Sequence, residues 1–264
     1  MNLPNIKPRK EIFDKIKILE KEGRFNEHVD DIHLDNVYKV DSNYEYIKTH
    51  AKDKFIYWLK YNFVVKPFRS YHVHHTMHVK VNGRENLKGI NNAIITSNHV
   101  FIYDCFANQY ALRGHKTYIT AAPFNSQKGS FGEYMRVGGM LPFSDDIGGM
   151  KNFIKTSSKL LKTNNYLLFY PEQSEWYCYE KPRPYLPGAF HFAVKFNVPI
   201  IPIFITFIHT GKKDKYGYEK LKFVVNIMKP IYKDPNKDDK ENLEYLKDLN
   251  MKMCQDKYNE FYKK

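Results

Sequence analysis

Cysteine is scarce in this sequence of 264 residues: Cys105, Cys178 and Cys254 are widely spaced and form no C-x-x-C pair. This spacing argues against a disulfide framework and a structural zinc site, and it is typical of a reducing compartment. No apolar run approaches the roughly 18 residues that a membrane-spanning helix needs. Residues 1–13 lack the apolar stretch of a secretory signal. We therefore expect a cytoplasmic protein that does not cross a membrane.

Sequence patterns of several enzyme folds are also missing. The lack of G-x-S-x-G argues against an α/β-hydrolase, and the lack of G-x-G-x-x-G and of a Walker sequence argues against a nucleotide-binding fold. The net charge is large, however, at +13. It suits nucleic acid, an anionic membrane or an acidic carrier protein, although evenly spread lysines also fit a compositional bias. A noncatalytic basic protein that binds membrane or nucleic acid is one open interpretation.

The order of the apolar segments predicts an α/β fold. Strand patterns lie at 73–81, 92–97, 116–121, 166–170, 198–209 and 221–232, and helical patterns at about 103–114, 147–163, 188–196 and 236–264. Alternation of this kind indicates a mixed, largely parallel sheet flanked by helices. We divide the chain into an N-terminal helical segment (1–70), a single domain (71–232) and a C-terminal amphipathic helix packed on it (233–264).

Residues 55–68, FIYWLKYNFVVKPF, combine aromatic side chains with lysines. This composition predicts a helix at a membrane interface, with Trp58 at the level of the headgroups and the lysines reaching outward. A helix packed on the protein's own core has a similar composition, and a segment this short does not separate the two possibilities.

Histidines are concentrated in residues 71–78, YHVHHTMH. In a strand, His72, His74 and His78 would share one face, an arrangement that can bind zinc. No Cys or nearby Glu completes such a site, and the spacing matches no known zinc motif. We favour a partly exposed strand without a metal.

The sharpest chemical signal is the segment 97–104, SNHVFIYD, directly after an apolar strand. Five residues rotate a helix by about 140°, so His99 and Asp104 meet only if His99 lies in the strand-to-helix turn and Asp104 in the first helical turn. An aspartate there fixes the imidazole tautomer and stabilises its protonated form, which suits general base catalysis on a hydroxyl of the substrate. The same spacing also occurs in proteins where the His only packs at a turn and the Asp caps the start of the helix.

Three further blocks follow in order: 138–143 (GGMLPF), 167–174 (LLFYPEQS) and 198–203 (VPIIPI). With 97–104, they resemble the 1-acylglycerol-3-phosphate acyltransferase family of lysophospholipid acyltransferases. In that family the blocks read N-H-x4-D, a Gly-led segment ending in an acidic residue and Arg, F-P-E-G-T-R-S, and a proline-containing apolar strand. The first and third blocks are the specific ones.

The resemblance implies a membrane-surface acyltransferase that moves a fatty-acyl group from acyl-coenzyme A or acyl carrier protein to a lysolipid hydroxyl. It implies His99 as the catalytic base, Asp104 as its partner, and no metal or other cofactor. Expected partners are the acyl donor, a lysolipid and an anionic membrane surface, and not nucleic acid. We expect amides near Gly139 or the 172–174 turn to stabilise the oxyanion. The substrate-binding residues expected here are Gly139, Glu172, Gln173 and Ser174.

The sequence departs from the family where the family binds phosphate. The Gly-Thr-Arg-Ser of the third block is QSEW in residues 173–176, which puts Glu175 in place of the arginine. The second block continues with SDD and has no arginine, and a lysine usual upstream of it is Ala122. Arginine suits a bidentate phosphate contact best. Two possibilities follow: Lys181 and Arg183 supply substitute charges, or the acceptor has no terminal phosphate, as in a glycolipid.

Overall fold

The computed structural model describes residues 9–30 and 36–263. Within these ranges, one sheet is formed by β1 (Lys80–Asn82), β2 (Ala93–Ser97), β3 (Thr117–Ala121), β4 (Met140–Pro142), β5 (Tyr166–Phe169), β6 (Ile200–Lys213) and β7 (Glu219–Ile227). Their order is β1-β7-β6-β2-β5-β3-β4, and every neighbouring pair is parallel except β6 with β7. The predicted mixed, largely parallel sheet is confirmed.

Helices cover both faces of the sheet. They are α1 (Arg9–Lys21), α2 (Ala51–Lys60), α3 (Lys66–Tyr71), α4 (Asp104–Ala111), α5 (Gly129–Val137), α6 (Ile147–Lys162), α7 (Gly188–Phe196) and α8 (Asp239–Tyr262). Successive strand residues point to opposite faces, so Ile95 lies in the core with α4 and α5, while Ile94 lies in the core with α6, α7 and α8. Because both faces are buried, the strands read as continuous apolar runs.

The predicted strand at 73–81 is wrong. Residues 51–76 form one continuous helical segment in which two π-helical turns, at 61–65 and 72–76, interrupt the α-helix. Its inward side chains recur at helical spacing: Tyr57, Tyr61, Val65, Phe68 and Val73 pack on the core. Histidine and apolar residues alternate here over a few positions, which is the pattern of a strand. Within this part of the chain, residues 80–82 pair with the sheet. The proposed boundary at residue 70 falls inside this helix.

The same helical segment has an exposed apolar side. Phe55, Trp58, Phe63 and Val64 are 60%, 56%, 71% and 52% exposed. The segment therefore packs on the core with one side and presents aromatic and aliphatic groups to its surroundings with the other. Across residues 9–30 and 36–263, no helix is both long enough and apolar enough to cross a bilayer.

A small apolar cluster joins α1 to the loop that follows β5. Ile12, Ile16 and Leu19 of α1 pack with Val29 and the fully buried Trp176. The indole Nε1 of Trp176 donates to the carbonyl of Glu27 at 2.9 Å. These contacts hold residues 25–30 against the carboxyl end of the sheet.

Candidate active site

His99 lies just beyond the carboxyl end of β2, which has β6 on one side and β5 on the other. The side chain of Asn98 continues the sheet past the end of the strand. Its Nδ2 donates to the carbonyl of Ile205 at 3.0 Å, and its Oδ1 accepts from the amide of Ile205 at 2.8 Å. In parallel α/β sheets, this edge is where ligands bind.

Asp104 is the first residue of α4 and is fully buried. Its Oδ2 lies 2.9 Å from His99 Nδ1 and accepts from the amides of Val100 (2.8 Å) and Phe101 (3.1 Å). The two side chains thus meet across a strand-to-helix turn, as their spacing requires. Because Nδ1 is held by Asp104, Nε2 is the nitrogen left for a substrate, and 24% of the His99 side chain is exposed.

Tyr170, the residue after β5, completes this arrangement. Its hydroxyl donates to Asp104 Oδ1 at 2.6 Å, and its ring stacks on the His99 imidazole with 4.0 Å between ring centroids. Burial and the charge of Asp104 raise the pKa of Tyr170 well above its usual 10, so the hydroxyl remains a donor. No pattern in the sequence indicated a role for Tyr170, although it directly precedes the Pro-Glu of the third block.

Glu172 holds the main chain of His99. Its Oε2 accepts from the His99 amide at 3.1 Å and from Arg183 Nη2 at 2.6 Å. The side chains of Glu172 and Arg183 are each 1% exposed, so this is a fully buried ion pair. The His99 carbonyl in turn accepts from the amide of Trp176 at 3.0 Å and from Arg183 at 3.3 Å. The histidine backbone is therefore fixed on both sides.

Arg183 does not offer a charge to a substrate, which corrects the expectation that it could replace the missing phosphate-binding arginine. Besides Glu172, its guanidinium donates to the carbonyls of Phe25 and Ser174 and to Ser174 Oγ. Its plane also lies over the Trp176 ring, with 4.8 Å to the centroid. All five guanidinium N–H groups have acceptors at this buried position. Arg183 is a positioning residue beneath the histidine.

The 172–174 turn does not supply the expected oxyanion donors. The amide of Gln173 donates to the carbonyl of Tyr170, and the amide of Ser174 donates to the carbonyl of Glu172. Gln173 adopts a positive φ of 70° and is exposed, whereas Ser174 is fully buried against Arg183. Glu172 and Ser174 therefore support the loop, and Gln173 is the member of this turn that faces outward.

Gly139 and Lys181 lie outside the His99 cluster. Gly139 precedes β4 at the amino end of the strands, where its carbonyl accepts from Ile119. By strand rise and spacing, that is on the order of 20 Å from His99. Its positive φ of 98° serves the turn between α5 and β4. Lys181 is exposed and pairs with Glu20 at 2.5 Å.

The electrostatics of the site centre on His99 and Glu175. Burial lowers the pKa of His99, but the charge and hydrogen bond of Asp104 and the charge of Glu175 outweigh it and raise that pKa above its usual 6.5. Burial raises the pKa of Glu175 to about 7, and the charges of Asp104 and Asp30 act in the same direction. The acidic residue in the place of the family's arginine thus interacts electrostatically with the candidate base.

A cleft elsewhere on the protein does not include the residues around His99. A polar cleft of about 480 Å³ at the outer edge formed by β1 and β7 is lined by Asn82, Asn226 and Lys257, among others, and by none of the residues around His99. Within the described ranges, no group of three His, Cys, Asp or Glu side chains is arranged to hold a metal ion.

Comparison with known proteins supports one family. Residues 78–206 match the family model described as Acyltransferase. Among solved structures, the chain is similar to the 1-acyl-sn-glycerophosphate (LPA) acyltransferase PlsC from Thermotoga maritima, with 16% sequence identity, a TM-score of 0.53, and coverage of 79% of this chain and 84% of that one. Curated proteins give no match. Residues 78–206 are therefore similar to the Acyltransferase family, and the fold is similar to that of PlsC.

Proposed function

We propose that this protein transfers a fatty-acyl group from a thioester, acyl-coenzyme A or acyl carrier protein, to the hydroxyl of a lysolipid. The observation that carries the proposal is the pairing of a partly exposed His99 with a fully buried Asp104 at the carboxyl edge of the sheet. Glu172 lies in the same cluster. A noncatalytic basic binder has no use for this clustering, so the enzyme is the better interpretation.

In the proposed reaction, the acceptor hydroxyl lies at Nε2 of His99. The imidazole takes the hydroxyl proton as the oxygen attacks the thioester carbonyl, and Asp104 stabilises the imidazolium. The tetrahedral oxyanion then collapses with cleavage of the C–S bond, and the departing thiolate takes the proton from His99. The products are the acylated lipid and a free thiol, and the histidine is neutral again. No metal or redox step is involved.

The fixed main chain of His99 supports this mechanism. Glu172, Arg183 and Trp176 hold its amide and carbonyl, while Tyr170 restrains the ring by stacking. A base held in its reactive orientation before the substrate arrives loses less entropy in the transition state. These residues do not touch the reacting atoms, so their expected contribution is positional.

The proposed location is the inner face of an anionic membrane. The exposed side of residues 51–76 carries Phe55, Trp58 and Phe63. Lys52, Lys54 and Lys66 on the same segment are exposed as well. Apolar groups of this kind enter the headgroup region, and nearby lysines are attracted to anionic lipid. The net charge of +13 adds to that attraction.

The direct test is acyl transfer by purified protein from a thioester to a lysolipid, followed by product mass. His99→Ala is expected to reduce turnover on the order of 10²- to 10⁴-fold, the usual contribution of a general base. The matched control is His191→Ala, because His191 is an exposed histidine on α7. Near-normal turnover in a folded His99→Ala protein would remove His99 from the mechanism.

A further inference from the structure

Glu175 carries a partly buried carboxylate on the loop that follows β5. Within residues 9–30 and 36–263, no side chain or amide forms a hydrogen bond or ion pair with it. The residues on either side are occupied: Ser174 contacts Arg183, and the Trp176 amide donates to the His99 carbonyl. Buried polar groups normally have partners, and a substrate can supply one that the protein leaves out. Glu175 therefore differs from Glu172, whose oxygens are fully used.

The charges around Glu175 do not favour a phosphomonoester. Asp104 and Asp30 are acidic neighbours that act on it electrostatically. His99 and Arg183 act on it with the opposite sign, and His99 more strongly, but His99 is paired with Asp104 and Arg183 with Glu172. Lys181, the other cation predicted for this role, is paired with Glu20. A dianionic phosphate placed beside His99 would meet a carboxylate where the resembling family has an arginine.

Resting on the proposed acyl transfer, we propose that Glu175 selects the acceptor by accepting a hydrogen bond from its headgroup. The acceptor is then a lysolipid that presents hydrogen-bond donors near the reacting hydroxyl, and not a terminal phosphomonoester. Two headgroups have that chemistry: the hydroxyls of a sugar and the ammonium of ethanolamine. A carboxylate binds both through N–H or O–H donors, and charge assistance strengthens the contact with the ammonium.

The test measures kcat/KM for three acceptors with the same acyl chain and one acyl-coenzyme A donor. The acceptors are lysophosphatidic acid, lysophosphatidylethanolamine and a monoacyl glycosylglycerol, each at equal mole fraction in neutral detergent micelles. Neutral micelles keep the basic surface of the protein from favouring the anionic lipid. The variants are Glu175→Arg and the nearly isosteric Glu175→Gln. Glu180→Arg is the matched control, because it makes the same charge change on the same loop, where Glu180 contacts His209 instead of the site.

The kcat/KM of the wild-type protein is expected to be at least about 10-fold higher for lysophosphatidylethanolamine or for the monoacyl glycosylglycerol than for lysophosphatidic acid. Glu175→Gln keeps an acceptor oxygen but loses the negative charge, so it is expected to lower kcat/KM for the preferred acceptor about 5- to 10-fold, roughly the difference between a charge-assisted and a neutral hydrogen bond. Glu175→Arg is expected to shift the ratio toward lysophosphatidic acid, while Glu180→Arg leaves it unchanged. A larger loss for the ethanolamine lipid than for the glycolipid in Glu175→Gln identifies the ammonium as the ligand.

Two results would overturn the assignment while leaving acyl transfer intact. One is a wild-type preference for lysophosphatidic acid, and the other is a folded Glu175→Gln protein with unchanged acceptor ratios. The acceptor ratios of Glu175→Gln test the role of Glu175 even if Glu175→Arg does not fold. If the wild-type protein acylates none of the three acceptors above the His99→Ala background, the proposed function itself fails, and the assignment of Glu175 with it.

Discussion

Replacing Arg183 by methionine separates a structural role from a substrate-binding one. The change removes the positive charge that pairs with Glu172 at a position where both side chains are 1% exposed. Glu172 keeps the amides of His99 and Arg183 as donors, but its buried charge loses its counterion. Breaking a buried ion pair on one side costs about 3–5 kcal/mol. We therefore expect the free energy of unfolding to fall by about that amount.

The assay is urea unfolding followed by far-UV circular dichroism and by tryptophan fluorescence. Trp176 is fully buried over Arg183, whereas Trp58 is 56% exposed, so the fluorescence change reports chiefly on the loop beneath His99. The double variant Arg183→Met with Glu172→Met replaces the pair by apolar groups of similar size. The double variant is expected to be more stable than Arg183→Met alone, because no charge is left buried alone. It is expected to stay below the parent, because the main-chain groups of His99 and Ser174 lose their hydrogen-bond partners.

A different outcome would refute this reasoning. Suppose that the free energy of unfolding of Arg183→Met lies within about 1 kcal/mol of the parent value while its KM for lysophosphatidic acid rises more than about 10-fold. Arg183 would then bind the acceptor. The buried pair would then be only one of its arrangements. Arg183→Lys discriminates further, because lysine keeps the charge but cannot reproduce the forked contact with the carboxylate.

Three further predictions concern the dyad and the membrane. Asp104→Asn is expected to lower turnover on the order of 10²- to 10⁴-fold. His99 must be neutral to act as a base, so activity is expected to fall as the pH decreases through its pKa. Because Asp104 raises that pKa, Asp104→Asn is expected to move this fall in activity to lower pH. A pH–rate profile whose acid side is unchanged in Asp104→Asn would contradict the pairing. Tyr170→Phe removes the 2.6 Å hydrogen bond to Asp104 but keeps the stacked ring, so kcat should fall about 10-fold with little change in KM. Trp58→Ser with Phe63→Ser should weaken sedimentation with anionic vesicles at high salt, where lysine attraction is screened; binding equal to wild type would exclude the exposed side of residues 51–76 as the contact.

The sequence predicted the parts of the site that depend on local geometry. His99 and Asp104 lie five residues apart, and the strand before them and the helix after them are both evident from hydrophobic patterning. Tyr170 was missed because its contact with Asp104 depends on β5 lying beside β2, and a single sequence does not state the strand order. Glu172 and Arg183 are eleven residues apart on an irregular loop, for which no periodicity applies.

Two incorrect predictions, a strand at 73–81 and a position for Gly139 near the reaction, have equally specific causes. The alternating His and apolar residues of 73–81 satisfied the strand pattern, whereas the burial of Val65, Val73 and Met77 follows the period of a helix. Gly139 was placed near the reaction because it belongs to a block of the resembling family. Its position at the amino end of β4 follows from strand direction, which becomes clear only when the sheet is assembled.

The central position of β2 has a consequence for how this protein is made. The partners that complete its carboxyl end come much later in the chain: Glu172 lies 73 residues after His99, and Ile205 lies 107 residues after Asn98. Contacts of such long sequence separation form slowly and late in folding. A ribosome-bound chain that lacks β6 must therefore carry β2 with one side unpaired, which is a state prone to aggregation. The same dependence means that the proposed acyl-transfer activity should appear only after the sheet has closed around β2, so its recovery during refolding would report that closure.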